Sequence, residues 1–302
     1  MTLSTKELDS LIFLLEDPDT DIYNNVRERL VSYGSSVLEK LESTAEFSNN
    51  ELVNKRVGEI LTHIRFEDLQ QKFQEWLDFE PGNLLKGLNL ICTYNYPGLN
   101  FEAVEELIKI VKREVWLELG VSFSPIKTAT IFNQVFYDQF GFHITDDYKD
   151  RLQHLCINRV LRSKKGEPLA LGLIYLVLAE ELNIPIHGVI LPENQFLLTY
   201  AANAFNPGNT GEQYSGDAEF YLNPAQLGMI ITEQEVINFL HKNGLDPDLK
   251  RYPPRSNVAL LQFYLKNFAL YFASIGDKAK SEDMKNLCEM CQVSIDSSLK
   301  KS

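Results

Sequence analysis

Apolar positions recur at helical spacing along most of this chain. Leu8, Leu11, Ile12 and Leu15 follow the i, i+3, i+4, i+7 pattern of one buried helix face. Asp17-Pro18-Asp19 stops that helix, Ile22, Val26 and Leu30 begin a second, and Gly34 ends it before a stripe of Val37, Leu38 and Leu41. Residues 51–79 set Leu52, Val57, Ile60, Leu61 and Ile64 on one face, with Trp76 beyond. Two more helices are predicted over 84–96 and 101–119. Ser124 then Pro125, an N-cap and an N1 proline, open another that closes near Gly141.

The pattern changes in the middle. Leu152 to Leu161 reads as a short helix, and Pro168 to Leu182 as a long one that is apolar on most sides and so centrally buried. Ile184-Pro185 then turns the chain into strands at 186–191 and 196–200, and Glu219-Phe-Tyr-Leu222 reads as a further strand. Thr232-Glu-Gln-Glu235 is a capping box for a helix ending at Gly244. Val258, Leu261, Tyr264, Leu265, Phe268 and Phe272 share one helix face, Gly276 ends it, and a second helix returns.

The string LLEDPDTDIYNNVRERL resembles a HEAT-type repeat, a helix, a turn and a helix carrying Val and Arg. Such a unit buries its apolar face only against a neighbour. With one fair repeat and a degenerate second, packing against the rest of the chain is the favoured role over a protein-binding surface.

A chain of 302 residues suits two or three packed units, and 44% hydrophobic with 24% charged residues is ordinary for a globular protein. The net charge of -13 argues against a nucleic-acid partner, and the small cluster of Arg162, Lys164 and Lys165 reads as the basic end of a helix. No secretory leader and no apolar run of roughly 20 residues is visible, so a cytoplasmic location and no membrane partner are expected. Cys92, Cys156, Cys288 and Cys291 are too few and scattered for a disulfide framework. Cys288-Glu-Met-Cys291 falls within a helical stripe with Met284 and Leu287, and no second ligand pair completes a zinc site. No phosphate-loop or dinucleotide fingerprint occurs. Neither a metal nor a cofactor is expected.

Asn158-Arg-Val-Leu161, Gly166-Glu-Pro-Leu-Ala-Leu171, Leu182-Asn-Ile-Pro185, Gly188-Val189 and Leu191-Pro192…Phe196-Leu197 carry a family likeness, preceded by Phe132-Asn-Gln-Val-Phe136. As a set they resemble the bacterial transglutaminase-like proteins of the SirB type, over roughly residues 100–295. The resemblance implies a papain-like core followed by a tetratricopeptide-like helical tail. It also implies a cysteine opening the long helix, a histidine on the strands and an acid beyond.

Those positions hold other residues here. The helix opens at Pro168, and Pro192-Glu-Asn-Gln195-Phe196 stands where family members often show Pro-x-His-Phe, with one extra residue. Phe205-Asn206-Pro207 offers an amide where Asp-Pro-Phe often appears. Gln195 takes up no proton at neutral pH, so thiol catalysis lacks its nucleophile, base and orienting acid. Glu167, Tyr175, His187 and Glu193 are candidate ligand-binding residues of the same degenerate cleft, with Asp217 another carboxylate that could ring it. Cys156 reads as a small buried hydrophobe.

The resulting expectation is an α+β, predominantly helical protein. HEAT-like helices span 1–80, a transglutaminase-like core with a small antiparallel sheet spans 81–245, and a helical hairpin spans 246–302. The expected role is a non-catalytic protein-interaction or regulatory module, a pseudoenzyme whose cleft of Pro168, Gln195 and Asn206 binds a peptide or small ligand. The alternative is a hydrolase, amidase or peptidase-like enzyme acting through an unrecognised set of cleft residues.

Overall fold

The computed structural model describes residues 4–120, 124–145, 150–202 and 218–299. These divide into two compact units, Met1–Gln74 and Glu75–Ser302.

In the first unit the caps fall where the polar residues allow. Ser4 accepts the Glu7 N–H to open α1 (Thr5–Phe13), a 3-10 turn follows at Leu14–Glu16, and Asp19 accepts the Asp21 N–H to open α2 (Thr20–Ser32). A second 3-10 turn, Gly34–Val37, leads into α3 (Leu38–Phe47), and α4 (Glu51–Phe79) begins in this unit. Leu15, Leu30, Val37, Leu41, Val57 and Ile60 are fully buried between them. The Asp-Pro-Asp turn leaves carbonyls without backbone donors. Buried Arg56 of α4 meets them, donating from Nη1 to the carbonyls of Leu15 and Asp17 while its guanidinium lies 4.5 Å from the Tyr23 ring centroid.

The second unit continues through α5 (Leu84–Asn95), α6 (Phe101–Glu118) and α7 (Pro125–Asn133). The helix expected to run to Gly141 changes to a π-helical turn at Gln134–Gln139. After β1 (His143–Ile144), the helix expected over 152–161 is two pieces, α8 (Arg151–Leu155) and α9 (Ile157–Ser163). Cys156 breaks it, with extended backbone (φ -71°, ψ 114°), and its carbonyl starts α9 by accepting the Arg159 and Val160 N–H groups. Next, β2 (Lys165–Gly166) pairs in parallel with β1.

The long α10 (Pro168–Glu181) is buried on all sides from Leu169 to Ala179. Four antiparallel strands follow in the spatial order of the sequence: β3 (Ile186–Leu191), β4 (Gln195–Tyr200), β5 (Phe220–Asn223) and β6 (Met229–Ile231). Helix α11 (Glu233–Lys242) opens on the expected capping box of Thr232 and Glu235, and α12 (Asn257–Ser274) with α13 (Lys278–Leu299) closes the chain.

Strand alternation gives the sheet two different faces. Phe196 and Gly188 meet α10: a Cβ at Gly172 would come 2.6 Å from Phe196, and one at Gly188 would come 3.2 Å from Leu176. Val189, Leu191, Leu197 and Tyr221 take the other face and pack with Val236 and Leu240 of α11. Among the described residues, no helix is long and apolar enough to cross a membrane.

Candidate functional site

The head of α10, the start of β4 and the end of β5 meet at one end of the sheet. Pro168 supplies N1, where its missing N–H costs no hydrogen bond and its fixed φ suits a helix. It lies one turn before Gly172, on the helix face that touches Phe196 and Pro224. Those two residues follow Gln195 and Asn223.

Glu167 occupies the N-cap position but does not cap the helix with its side chain. Its backbone N–H donates to the His154 carbonyl at 2.9 Å. Its carboxylate takes a two-point ion pair with Arg151 of α8, with Nη2 donating to Oε2 at 3.0 Å and Nε donating to Oε1. The Glu167 hydrogen bonds raise the Arg151 pKa further. Such a fork-to-fork pair fixes both groups and occupies both carboxylate oxygens.

The hairpin that presents Gln195 is fastened from behind. Glu193 and Asn194 take left-handed conformations, with φ of 57° and 62°. The Asn194 side chain exchanges hydrogen bonds with buried Asn267 of α12, at 2.7 and 3.3 Å. Gln195 is exposed opposite Leu191, on the sheet face of Leu197 and α11.

Asn206 and Asp217 lie outside the described residues. Another Asn-Pro pair, Asn223-Pro224, ends β5. Register places Asn223 beside Leu197, on the same face as Gln195. Its side chain accepts the Ala225 N–H at 3.0 Å and donates to Gln226.

Two other expected cleft residues sit elsewhere. His187 pairs with Thr199, four residues along β4 from Gln195 and so about 13 Å away. It is buried, and burial lowers its pKa. Tyr175 lies two turns inside α10, fully buried, stacked on Phe132 with centroids 3.9 Å apart, and donates to Asn133 Oδ1 at 3.1 Å.

His154 was not singled out in the sequence, yet it adjoins the helix head. It is buried, with Nδ1 3.4 Å from the Lys165 carbonyl and Nε2 without a partner among the described residues. The cysteines are buried in two other places. Cys92 Sγ lies 3.4 Å from the Tyr264 hydroxyl, which donates to the Leu155 carbonyl at 2.6 Å. Burial, with Cys92 beside it, pushes the Cys156 thiol well above its ordinary value. Burial also pushes Cys288 up to about 11 and raises Cys291. Among the described residues no hydrogen bond joins a cysteine to a histidine, and no group of three His, Cys, Asp or Glu side chains gathers as for a metal.

The family model described as "Transglutaminase-like superfamily" matches residues 102–263, from α6 into α12. A UPF0162 protein of Vibrio cholerae is 30% identical over 171 residues, covering 56% of this chain and 58% of that protein. The UPF0162 protein YchA of Escherichia coli K12 is 23% identical over 207 residues, covering 62% of this chain and 76% of YchA. Mouse F-box only protein 21 is 29% identical over 145 residues, which is 48% of this chain and 20% of the mouse protein. This chain thus spans less than two thirds of the Vibrio relative. No solved structure matches it.

Proposed function

The chain belongs to the transglutaminase-like superfamily, and we propose that within it the protein is a binding module and not a thiol enzyme. The head of α10 then holds a peptide or small ligand. The observation that carries this reading is the ion pair of Glu167 with Arg151 at the helix head. The two-point pair holds the Glu167 carboxylate against Arg151, which fixes its orientation at the helix head. A thiolate nucleophile needs a cysteine at the helix N-terminus, where Pro168 stands. Gln195 and Asn223, at the neighbouring strand ends on the sheet face turned away from α10, are amides, which donate and accept without titrating. That is the chemistry of holding a peptide backbone, not of moving a proton.

The test has two arms. A glutaminyl dipeptide with hydroxylamine is expected to give no hydroxamate above buffer, with or without iodoacetamide. Hydroxamate formation that is lost on Cys156→Ser or His154→Ala would overturn the reading and favour an enzyme with a different catalytic set. In the second arm, photoreactive benzoylphenylalanine replaces Gln195, or exposed Ile110 of α6 as control. A covalent adduct formed from position 195 and not from 110 is expected; equal labelling from both refutes a binding cleft.

A further inference from the structure

A second feature lies past the helix head, where β6 has no partner strand on its outer side among the described residues and borders a cavity. Strand β6 pairs with β5 on one side. On its other side Met229, Ile230 and Ile231 make no backbone hydrogen bond among the described residues. Natural sheet edges are usually blunted by lysine, proline or a covering element. This edge is only three residues long, carries neither lysine nor proline, and has Leu227 and Met229 beside it as exposed apolar side chains.

The facing wall is the π-helical turn Gln134–Gln139, a conformation rare in helices and concentrated at functional sites. Between wall and strand lies a cavity of about 590 Å³, lined by Thr130, Gln134, Tyr137, Asp138, Met229 and Ile230 among others. The two sides are locked together. Asn133 Nδ2 donates to the Gly228 carbonyl at 2.7 Å while its Oδ1 accepts from Tyr175. Leu227 and Gly228 are both left-handed (φ 50° and 72°), and a Cβ at 228 would come 2.3 Å from Asn133 Oδ1, so only glycine fits there. The Tyr137 hydroxyl is buried with no partner among the described residues. A preformed cavity beside a strand edge that is unpaired among the described residues has the geometry to take an extended ligand.

Charge narrows the occupant. Asp138 is exposed and makes no ion pair among the described residues, and the cavity lining contains no cation. A second copy of this chain would carry the same net charge of -13 and the same Asp138, which opposes its pairing at this edge. We propose that β6 and this cavity bind an extended segment of a partner protein as an added strand, with a lysine or arginine of that segment reaching Asp138. Added strands gain affinity from main-chain bonds and selectivity from alternate side chains. Tyr175, which anchors this wall through Asn133, is seven residues from Pro168, about 10 Å along the helix axis. The site adjoins the helix head along β5 and β6, where Asn223 pairs with Met229, but its lining includes none of Glu167, Pro168 or Gln195 and it does not rest on the reading proposed there.

The probe is a fluorescein-labelled hexapeptide of alternating valine and lysine, followed by anisotropy. It is expected to bind about fivefold more tightly than the same peptide with glutamate for lysine. Asp138→Lys should reverse that preference, and the exposed, unpaired position lets the exchange leave the fold intact. N-methylation of alternate peptide amides should weaken binding by about tenfold or more. Val293→Ala, at an exposed position of α13 outside the lining, should leave binding unchanged. Equal affinity for the two peptides, indifference to Asp138→Lys, or undiminished binding of the N-methylated peptide would each overturn the proposal. So would self-association in sedimentation that the lysine peptide does not reverse.

Discussion

Glu180, near the C-terminal end of α10, makes the stability of this protein depend on pH in a direction that can be computed beforehand. Burial pushes its carboxyl up to about 7 from an ordinary 4.5, although the Asn257 side chain and the Leu84 N–H both donate to it. The folded state therefore keeps a proton that the unfolded state has released. Stability from this group is fully present below the unfolded pKa and falls as pH rises toward the folded value. At 1.36 kcal/mol per pKa unit, a displacement of about 2.5 units costs about 3 kcal/mol once both states are ionised. Glu180→Gln removes the titration and retains an oxygen for both donors. Its advantage over the natural chain should grow by about 2 kcal/mol between about pH 5.5 and about pH 8. Urea unfolding read through the emission of Trp76, fully buried in the same unit, reports that difference. A gap between variant and natural chain that stays constant across that range would refute the assignment of the raised pKa to Glu180.

Three further outcomes follow from packing. Arg56→Ala leaves the Leu15 and Asp17 carbonyls without their charged donor and removes the contact with Tyr23, a loss of about 2–3 kcal/mol measurable by denaturation and by faster amide exchange in α1 and α2. Asn267→Ala frees the hairpin tip at Asn194, and should cost about 1–2 kcal/mol with raised amide exchange at 193–195. Gly172→Ala should lower the melting temperature although alanine is the better helix former by about 1 kcal/mol. The new methyl would meet Phe196 at 2.6 Å and Pro224 at 3.0 Å, and overpacking costs about 1–3 kcal/mol. An unchanged or higher melting temperature would show that Phe196 yields without strain.

The elements legible in the sequence were those whose pattern is local and long. Helices α4, α5, α6, α10 and α12 follow from apolar stripes of three or more turns, and β3 and β4 from apolar runs bounded by proline. What escaped was decided by distant partners. Strands β1 and β2 have two residues each and exist only because they pair across 22 positions of chain. The π-helical turn repeats nearly the same apolar positions as an α-helix, so Phe132, Val135 and Phe136 predict core equally well under either geometry. The Asn133 bond to Gly228 spans 95 residues, and the Arg151 bond to Glu167 joins a short helix to a cap.

The candidate site shares a property that explains how its chemistry and its fold can part. Glu167, Gln195 and Asn223 stand at the head of a helix, the first position of a strand and the last position of a strand. None is part of the buried core, which is carried by Leu171, Ile174, Leu178, Leu198 and Leu222 deeper in the same elements. A side chain at an element end is held by local polar bonds, here to Arg151 and to Ala225 and Gln226. Exchanging such a residue for one of different charge removes about one hydrogen bond of stability, whereas exchanging a buried leucine costs about 2–5 kcal/mol. The fold is therefore far more tightly specified than the chemistry at its cleft. A likeness spread over core positions identifies the scaffold and leaves the activity to be decided by the three element ends.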